Sequence, residues 1–216
     1  MKGKALIMGL ALIATLALAG IAAADLVKGT RGDDTLAGTP NADLIQAFAG
    51  NDTIVADAGN DVVRSGKGDD TADGGAGHDL VFGGRGDDTL SGGADNDRIW
   101  SGSGNDTSSG GEGNDRVGGG RGDDTVNGDN GDDRLFGGRG ADKVYGGEGN
   151  DRLHALARDR QPDLLDCGNG EDVAFVRLSE RATTTLVGCE KVRYVLYLTP
   201  EQAQGEDADH DNEADG

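Results

Sequence analysis

Aspartate recurs at every ninth position along most of this 216-residue chain: Asp34, Asp43, Asp52, Asp61, Asp70, Asp79, Asp88, Asp97, Asp106, Asp115, Asp124, Asp133, Asp142 and Asp151. Each ends a run rich in glycine, as in Gly83–Ser91, GGRGDDTLS. Glycine takes positive φ without a Cβ clash, so such a run can turn its carbonyl oxygens toward one point. Carboxylates and carbonyls together suit a hard cation, and calcium takes six to eight oxygens of this kind. A disordered Gly/Asp linker has no reason to keep the phase. The fourteen aspartates therefore read as candidate metal ligands.

The elements that must position them form one unbroken array of fourteen nonapeptides, Gly29 to His154. Place six of each unit is the aspartate. Place four is glycine except at Asn41 and Asp95, and place eight is a large aliphatic except at Ala72 and Ser108. Place five is Asn or Asp in eleven units, which suits a turn because both residues tolerate the left-handed region. The pattern predicts a turn over places one to six and a short strand over places seven to nine. Alternate strand residues face opposite sides, so place eight points inward. An eighteen-residue super-period overlies the nine. In odd units place seven reads Thr35, Thr53, Thr71, Thr89, Thr107, Thr125 and Lys143; in even units it reads Leu44, Val62, Leu80, Arg98, Arg116, Arg134 and Arg152. Place three is basic only in odd units, as at Arg31, Lys67, Arg85, Arg121 and Arg139. Two units per coil, on opposite sheets, account for that separation.

The unit resembles the RTX nonapeptide repeat G-G-x-G-x-D-x-U-x. The resemblance implies an all-β fold, a parallel β-roll (β-solenoid) with two repeats per coil. It also implies calcium ions between turns on the same edge one coil apart, held by turn carbonyls and the place-six aspartates. Fourteen turns less two unpartnered edges allow at most about twelve ions. Sites beside Pro40, Asn41 and Ala42, and around Ala141, are expected to be the weakest.

Residues 1–24 read as a signal peptide, with Lys2 and Lys4 before the apolar run Ala5–Ala19 and small residues at Ala22, Ala23 and Ala24. No other apolar run is long enough to span a bilayer. The roll is expected over 25–154 and a cap of degenerate repeats over 155–200. In the cap, place six returns at Asp163 after a three-residue insertion and again at Asp172, and Val187–Leu198 reads as a closing strand or two. Cys167 and Cys189 are the only cysteines, and in a secreted chain they are expected to form a disulfide that closes the β cap. Residues 201–216 are an acidic tail expected to be disordered; Asp207, Asp209 and Asp211 imitate the start of an EF-hand loop, but no twelfth-place Glu follows.

Formal net charge is −20, and it becomes −22 once Lys2 and Lys4 are removed with the signal. Such a balance excludes nucleic acid and, after signal cleavage, an anionic membrane as partners, since both need a basic face. Aromatics are only 4% of residues and each unit contributes one small inward side chain, so folding is expected to be coupled to calcium binding. Nothing suggests an enzyme. His78, His154 and His210 form no HExxH or triad arrangement, and no G-x-S-x-G element occurs. The Arg-Gly-Asp triplets at Arg31, Arg85 and Arg121 fall out of the repeat itself. The expectation is a secreted, non-catalytic calcium-binding protein, either released or retained at the cell surface. An adhesion module is the alternative: Phe82, Trp100, Phe136 and His154 at place nine share the even sheet with the place-seven arginines, a face suited to a polysaccharide or protein partner. The threonine rank of the odd sheet resembles the flat faces of ice-binding solenoids, but its place-nine companions are irregular.

Overall fold

The computed structural model describes residues 25–157 and 159–195. The signal peptide over 1–24, the acidic tail over 201–216 and the last residues of the cap lie outside the described residues. Nineteen strands follow one another, and no helix occurs among the described residues. Four short ones come first: β1 (Leu26–Lys28), β2 (Thr35–Ala37), β3 (Leu44–Gln46) and β4 (Thr53–Val55). Ten six-residue strands make the body: β5 (Val62–Lys67), β6 (Thr71–Ala76), β7 (Leu80–Arg85), β8 (Thr89–Ala94), β9 (Arg98–Ser103), β10 (Thr107–Glu112), β11 (Arg116–Arg121), β12 (Thr125–Asn130), β13 (Arg134–Arg139) and β14 (Lys143–Glu148). The end consists of β15 (Arg152–Ala155), β16 (Leu164–Asn169), β17 (Val173–Arg177), β18 (Thr185–Val187) and β19 (Lys191–Val195).

Odd-numbered strands build a ten-stranded sheet and even-numbered strands a nine-stranded one. Every pairing is parallel, and Thr107 lies opposite both Thr89 and Thr125. One coil therefore consumes eighteen residues and two units, as the super-period predicts. The threonine rank runs down the nine-stranded sheet and the arginine rank down the ten-stranded one.

The strands are longer than the sequence predicts. In β5 to β14 each covers places seven to nine and continues through places one to three of the next unit. Paired glycines read locally as turn, but here the ladder of the neighbouring coil carries them as strand, and tertiary context overrides propensity. Places eight and one then both face the interior. Ile45, Val63, Val81, Ile99 and Leu135 are fully buried at place eight, and Ala47, Ala56, Ser65 and Ser101 at place one. The place-three cations Lys67, Arg85, Arg121 and Arg139 consequently join the ten-stranded sheet, beside the place-seven arginines.

The interior is a single column of aliphatics with a glycine, alanine or serine beside each. The polar residue at place eight is accommodated locally: Ser108 Oγ lies 2.5 Å from Ser101 Oγ, which also donates to the Gly118 carbonyl at 3.2 Å. The column continues into the cap through Leu165 and Ala174. Cys167, at place one of a degenerate unit and fully buried, is disulfide-bonded to Cys189 across 5.1 Å between Cα atoms. The expected bridge is thus present, and β18 and β19 are the closing strands.

Candidate metal sites along two edges

Winding brings the fourteen aspartates into two files. Asp34, Asp52, Asp70, Asp88, Asp106, Asp124 and Asp142 line one edge; Asp43, Asp61, Asp79, Asp97, Asp115, Asp133 and Asp151 line the other. In each file the place-six N–H donates to Oδ1 of the aspartate one coil later, at 2.7–3.1 Å on the first edge and 2.6–3.0 Å on the second. Place five makes a second file of opposite sense. Asp69 N–H donates back to Asn51 Oδ1 at 3.1 Å, and Asn105 N–H to Asp87 Oδ1 at 2.7 Å. This corrects the sequence-based reason for Asn and Asp at place five. None of those residues takes positive φ; they are there as acceptors for the next coil. Even His78 serves, accepting from Asn96 N–H at 3.1 Å.

With Oδ1 committed to the ladder, Oδ2 is left over. Twelve place-six carboxylates, Asp52 to Asp133 in unbroken series with Asp151 and Asp172, bury an Oδ2 that has no hydrogen-bond partner. An orphaned buried charge of this kind costs several kcal/mol. Seven of them, Asp79, Asp88, Asp97, Asp115, Asp124, Asp133 and Asp151, point into a space that a place-one glycine keeps open. A Cβ built on Gly83 would lie 2.5 Å from both Asp88 Oδ2 and the Ser101 carbonyl oxygen, and one on Gly74 would lie 2.6 Å from Asp79 Oδ2 and the Gly92 carbonyl oxygen. A carboxylate of one coil and a carbonyl of the next thus converge beside place one. Gly84 (φ +114°) and Gly86 (φ +121°) likewise leave no room for a Cβ against the Gly66 and Gly68 carbonyls. Among the described residues no three His, Cys, Asp or Glu side chains gather at one point, so any ion here would depend on backbone carbonyls for most of its shell. These oxygens fit calcium, which accepts carbonyls freely. Beside the other five, Ala47, Ala56, Ser65, Ser101 or Cys167 already stands at place one.

Burial, opposed by the ladder N–H and reinforced by neighbouring carboxylates, pushes these acids up. Asp88 rises to about 8, Asp124 to about 9, and Asp97 and Asp133 to about 7. A bound divalent cation would reverse that balance by favouring the charged form.

The two N-terminal aspartates differ. Asp34 Oδ2 accepts from the Thr30 N–H at 2.5 Å and hydroxyl at 3.0 Å; Asp43 Oδ2 accepts from the Thr39 N–H at 2.6 Å and hydroxyl at 3.0 Å. Place two elsewhere is held at positive φ, even by Phe48, Asp57 and Asp129, whereas Thr30 and Thr39 are not. A β-branched residue resists that region, and the alternative conformation points its N–H at the carboxylate. At the other end the ladders outlast the repeat. Asp142 N–H donates to Asp163 Oδ1 at 3.1 Å and Asp151 N–H to Asp172 Oδ1 at 2.7 Å, each across 21 residues, which confirms the three-residue insertion. Glu190 closes the second file, accepting from Asp172 N–H at 2.9 Å through its longer side chain. Its spacing, one coil after Asp172, was the available signal.

The place-nine residues stack as columns on the ten-stranded sheet. Phe82 and Trp100 lie 5.2 Å apart, and His154 sits between Phe136 (4.4 Å) and Phe175 (4.6 Å). Phe136 and His154 are outward by register yet only 2% exposed. Burial, with Arg134, Arg116 and Arg152 nearby, lowers His154 to about 3, so it is a neutral ring in the stack.

No curated protein matches the chain. Among protein families, the RTX calcium-binding nonapeptide repeat (4 copies) matches at residues 20–47, 28–63, 46–81, 56–90, 82–117 and 118–153. Together these segments span more than half of the chain, on the units whose aspartates line the two edges. The family implies calcium, a disulfide fits an oxidising compartment, and the chain belongs to the RTX calcium-binding nonapeptide repeat family.

Proposed function

We propose that this is a secreted, non-catalytic calcium-binding protein whose roll folds as calcium enters between successive turns. The place-six aspartates are the carboxylate ligands, Asp52 to Asp151 the stronger and Asp34 and Asp43 the weaker. The observation that carries the reading is the set of twelve orphaned Oδ2 atoms, seven of them beside glycine-made space. Repulsion along each file opposes folding without cations, and one inward aliphatic per nine residues is a lean offset. Extracellular modules bind calcium near 10⁻⁴–10⁻³ M, which would keep the chain open in a low-calcium cytosol and close it outside. Equilibrium dialysis tests this. Several calcium ions per chain, at most about twelve, with magnesium failing to displace them, is the expected result. Binding of no calcium at 10 mM would end the proposal.

A second reading, an adhesion module for an extracellular polysaccharide or protein, is favoured by the Phe82–Trp100 stack. Binding of immobilised polysaccharide by the calcium-loaded chain, lost in Trp100→Ala, is its expected result; retention in the variant would remove the stack from the site.

A further inference from the structure

Both acid files end in the cap, and the two ends differ. On the second edge Glu190 accepts the Asp172 N–H and completes the ladder. On the first edge the register gives place six to Thr184: Thr185 N–H donates to the Asp163 carbonyl at 2.7 Å, as Leu164 N–H does to that of Asp142 at 2.8 Å. No aspartate therefore follows Asp163 in its file. A carboxylate comes to this end from the turn 178–183, between β17 and β18, as Glu180. The turn fixes its backbone, since the Glu180 carbonyl accepts from the N–H groups of Thr183 and Thr184 at 2.9 and 3.0 Å and from their hydroxyls at 2.9 and 3.1 Å. Glu180 is only 3% exposed. Its Oε1 accepts from the Ser179 hydroxyl at 3.0 Å, whereas its Oε2 is buried with no hydrogen-bond partner. The guanidinium groups nearest in sequence are engaged elsewhere: Arg177 Nε donates to the Leu156 carbonyl at 2.6 Å, and Arg181 lies 5.1 Å over the Tyr194 ring. Burial raises Asp163 to about 6, and the charges of Asp159 and Glu180 add to the rise. The Glu180 carboxylate is thus close enough to act on Asp163.

We propose that Glu180 and Asp163 bind a calcium ion in the cap, at a site separate from the glycine turns of the repeats. A buried carboxylate without a partner has to be met by a proton or a cation. A second buried acid beside it favours a divalent cation, which lets both stay charged. Only two carboxylates contribute, so the Ser179 hydroxyl and water supply further oxygens, all of the hard kind that calcium takes. Both residues lie beyond the segments that match the repeat family, which end at residue 153. The ion has a mechanical use there. β18 is the last strand of the nine-stranded sheet and pairs only with β16, so a tie between the turn before it and the Asp163 coil keeps that edge from fraying.

The site rests on the roll folding in calcium, so wild type, Glu180→Gln and Asp163→Asn are compared as full chains, each checked for folding by circular dichroism in calcium. Glutamine keeps the size of Glu180 and an oxygen for Ser179; asparagine keeps the oxygen that accepts from Asp142 N–H. Equilibrium dialysis against calcium should find about one ion fewer in each variant than in wild type. Hydrogen exchange locates the loss. In saturating calcium the amides of Thr183, Thr184 and Thr185 should exchange at least tenfold faster in Glu180→Gln, with those of β5 to β14 unchanged. Folded variants that bind as many ions as wild type would overturn the proposal and leave Glu180 as a buried acid that holds a proton. If one variant does not fold, the count in the other decides. Wild type that binds no calcium at all would instead end the reading of the repeats, and the cap site with it.

Discussion

Asp97→Asn separates a metal ligand from a structural side chain. Asp97 Oδ1 accepts from Asp79 N–H at 2.8 Å, a bond that the asparagine carbonyl oxygen can keep. Its Oδ2 is buried without a hydrogen-bond partner, and there the variant puts an NH₂ group that cannot ligate a cation. One site should vanish while the ladder survives. Linkage fixes the size: a site with Kd of 10⁻⁴–10⁻³ M contributes about 1.4 to 2.7 kcal/mol at 10 mM calcium. Between 1 and 10 mM calcium the stability gap to wild type should therefore grow by roughly 1 kcal/mol. Asp43→Asn is the control, because Thr39 already satisfies Asp43 Oδ2. It should cost about 1.5 to 3 kcal/mol from charge-assisted hydrogen bonds, at a level that changes much less with calcium because its site is the weaker one. Urea unfolding followed by circular dichroism at the two calcium concentrations measures both gaps. The reasoning fails if the Asp97→Asn gap is flat, or if the Asp43→Asn gap grows as steeply.

Three other outcomes follow from the same geometry. Thr39→Gly frees Asp43 Oδ2 and opens place two, so calorimetric stoichiometry should rise by as much as one ion; an unchanged count would mean that the threonine is not what closes that turn. Gly84→Ala forces a side chain onto φ +114° and against the Gly66 carbonyl, and should cost about 1 to 3 kcal/mol in calcium; a change below 0.5 kcal/mol by urea melts would show the coils free to separate. In chelator, the raised acids make the folded roll bind protons more tightly than the open chain does. Metal-free stability is then greatest below about pH 4 and is lost as pH rises through the range of about 6 to 9 set by Asp79, Asp97, Asp88 and Asp124. More β signal at pH 5 than at pH 9 is expected, and equal spectra would contradict it.

Much of this was legible in the sequence, because a solenoid writes its period into the chain. The place-six phase located both acid files, the alternation of Thr and Arg at place seven gave two units per coil, and Asp163 marked the insertion. What was not legible depends on neighbours one coil away. The glycine pairs at places one and two look like turns until an adjacent ladder makes them strand. Asn and Asp at place five suit a left-handed turn by residue type, but their use here is as acceptors for the next coil. Thr30 and Thr39 stand at place two, where most units have glycine, and it is their φ, set by the fold, that decides whether an aspartate is orphaned. The Ser101–Ser108 bond was signalled only by two polar residues in places that both face inward.

The account's central claim is that metal binding and folding are one event. Far-UV circular dichroism of residues 25–216 through a calcium titration, with magnesium as the control, tests it most directly. A steep coil-to-β transition with calcium, and none with magnesium at the same concentrations, is the expected result. A chain already rich in β structure in chelator at neutral pH would contradict it, and would make the aliphatic column and the disulfide-closed cap sufficient to hold the rod.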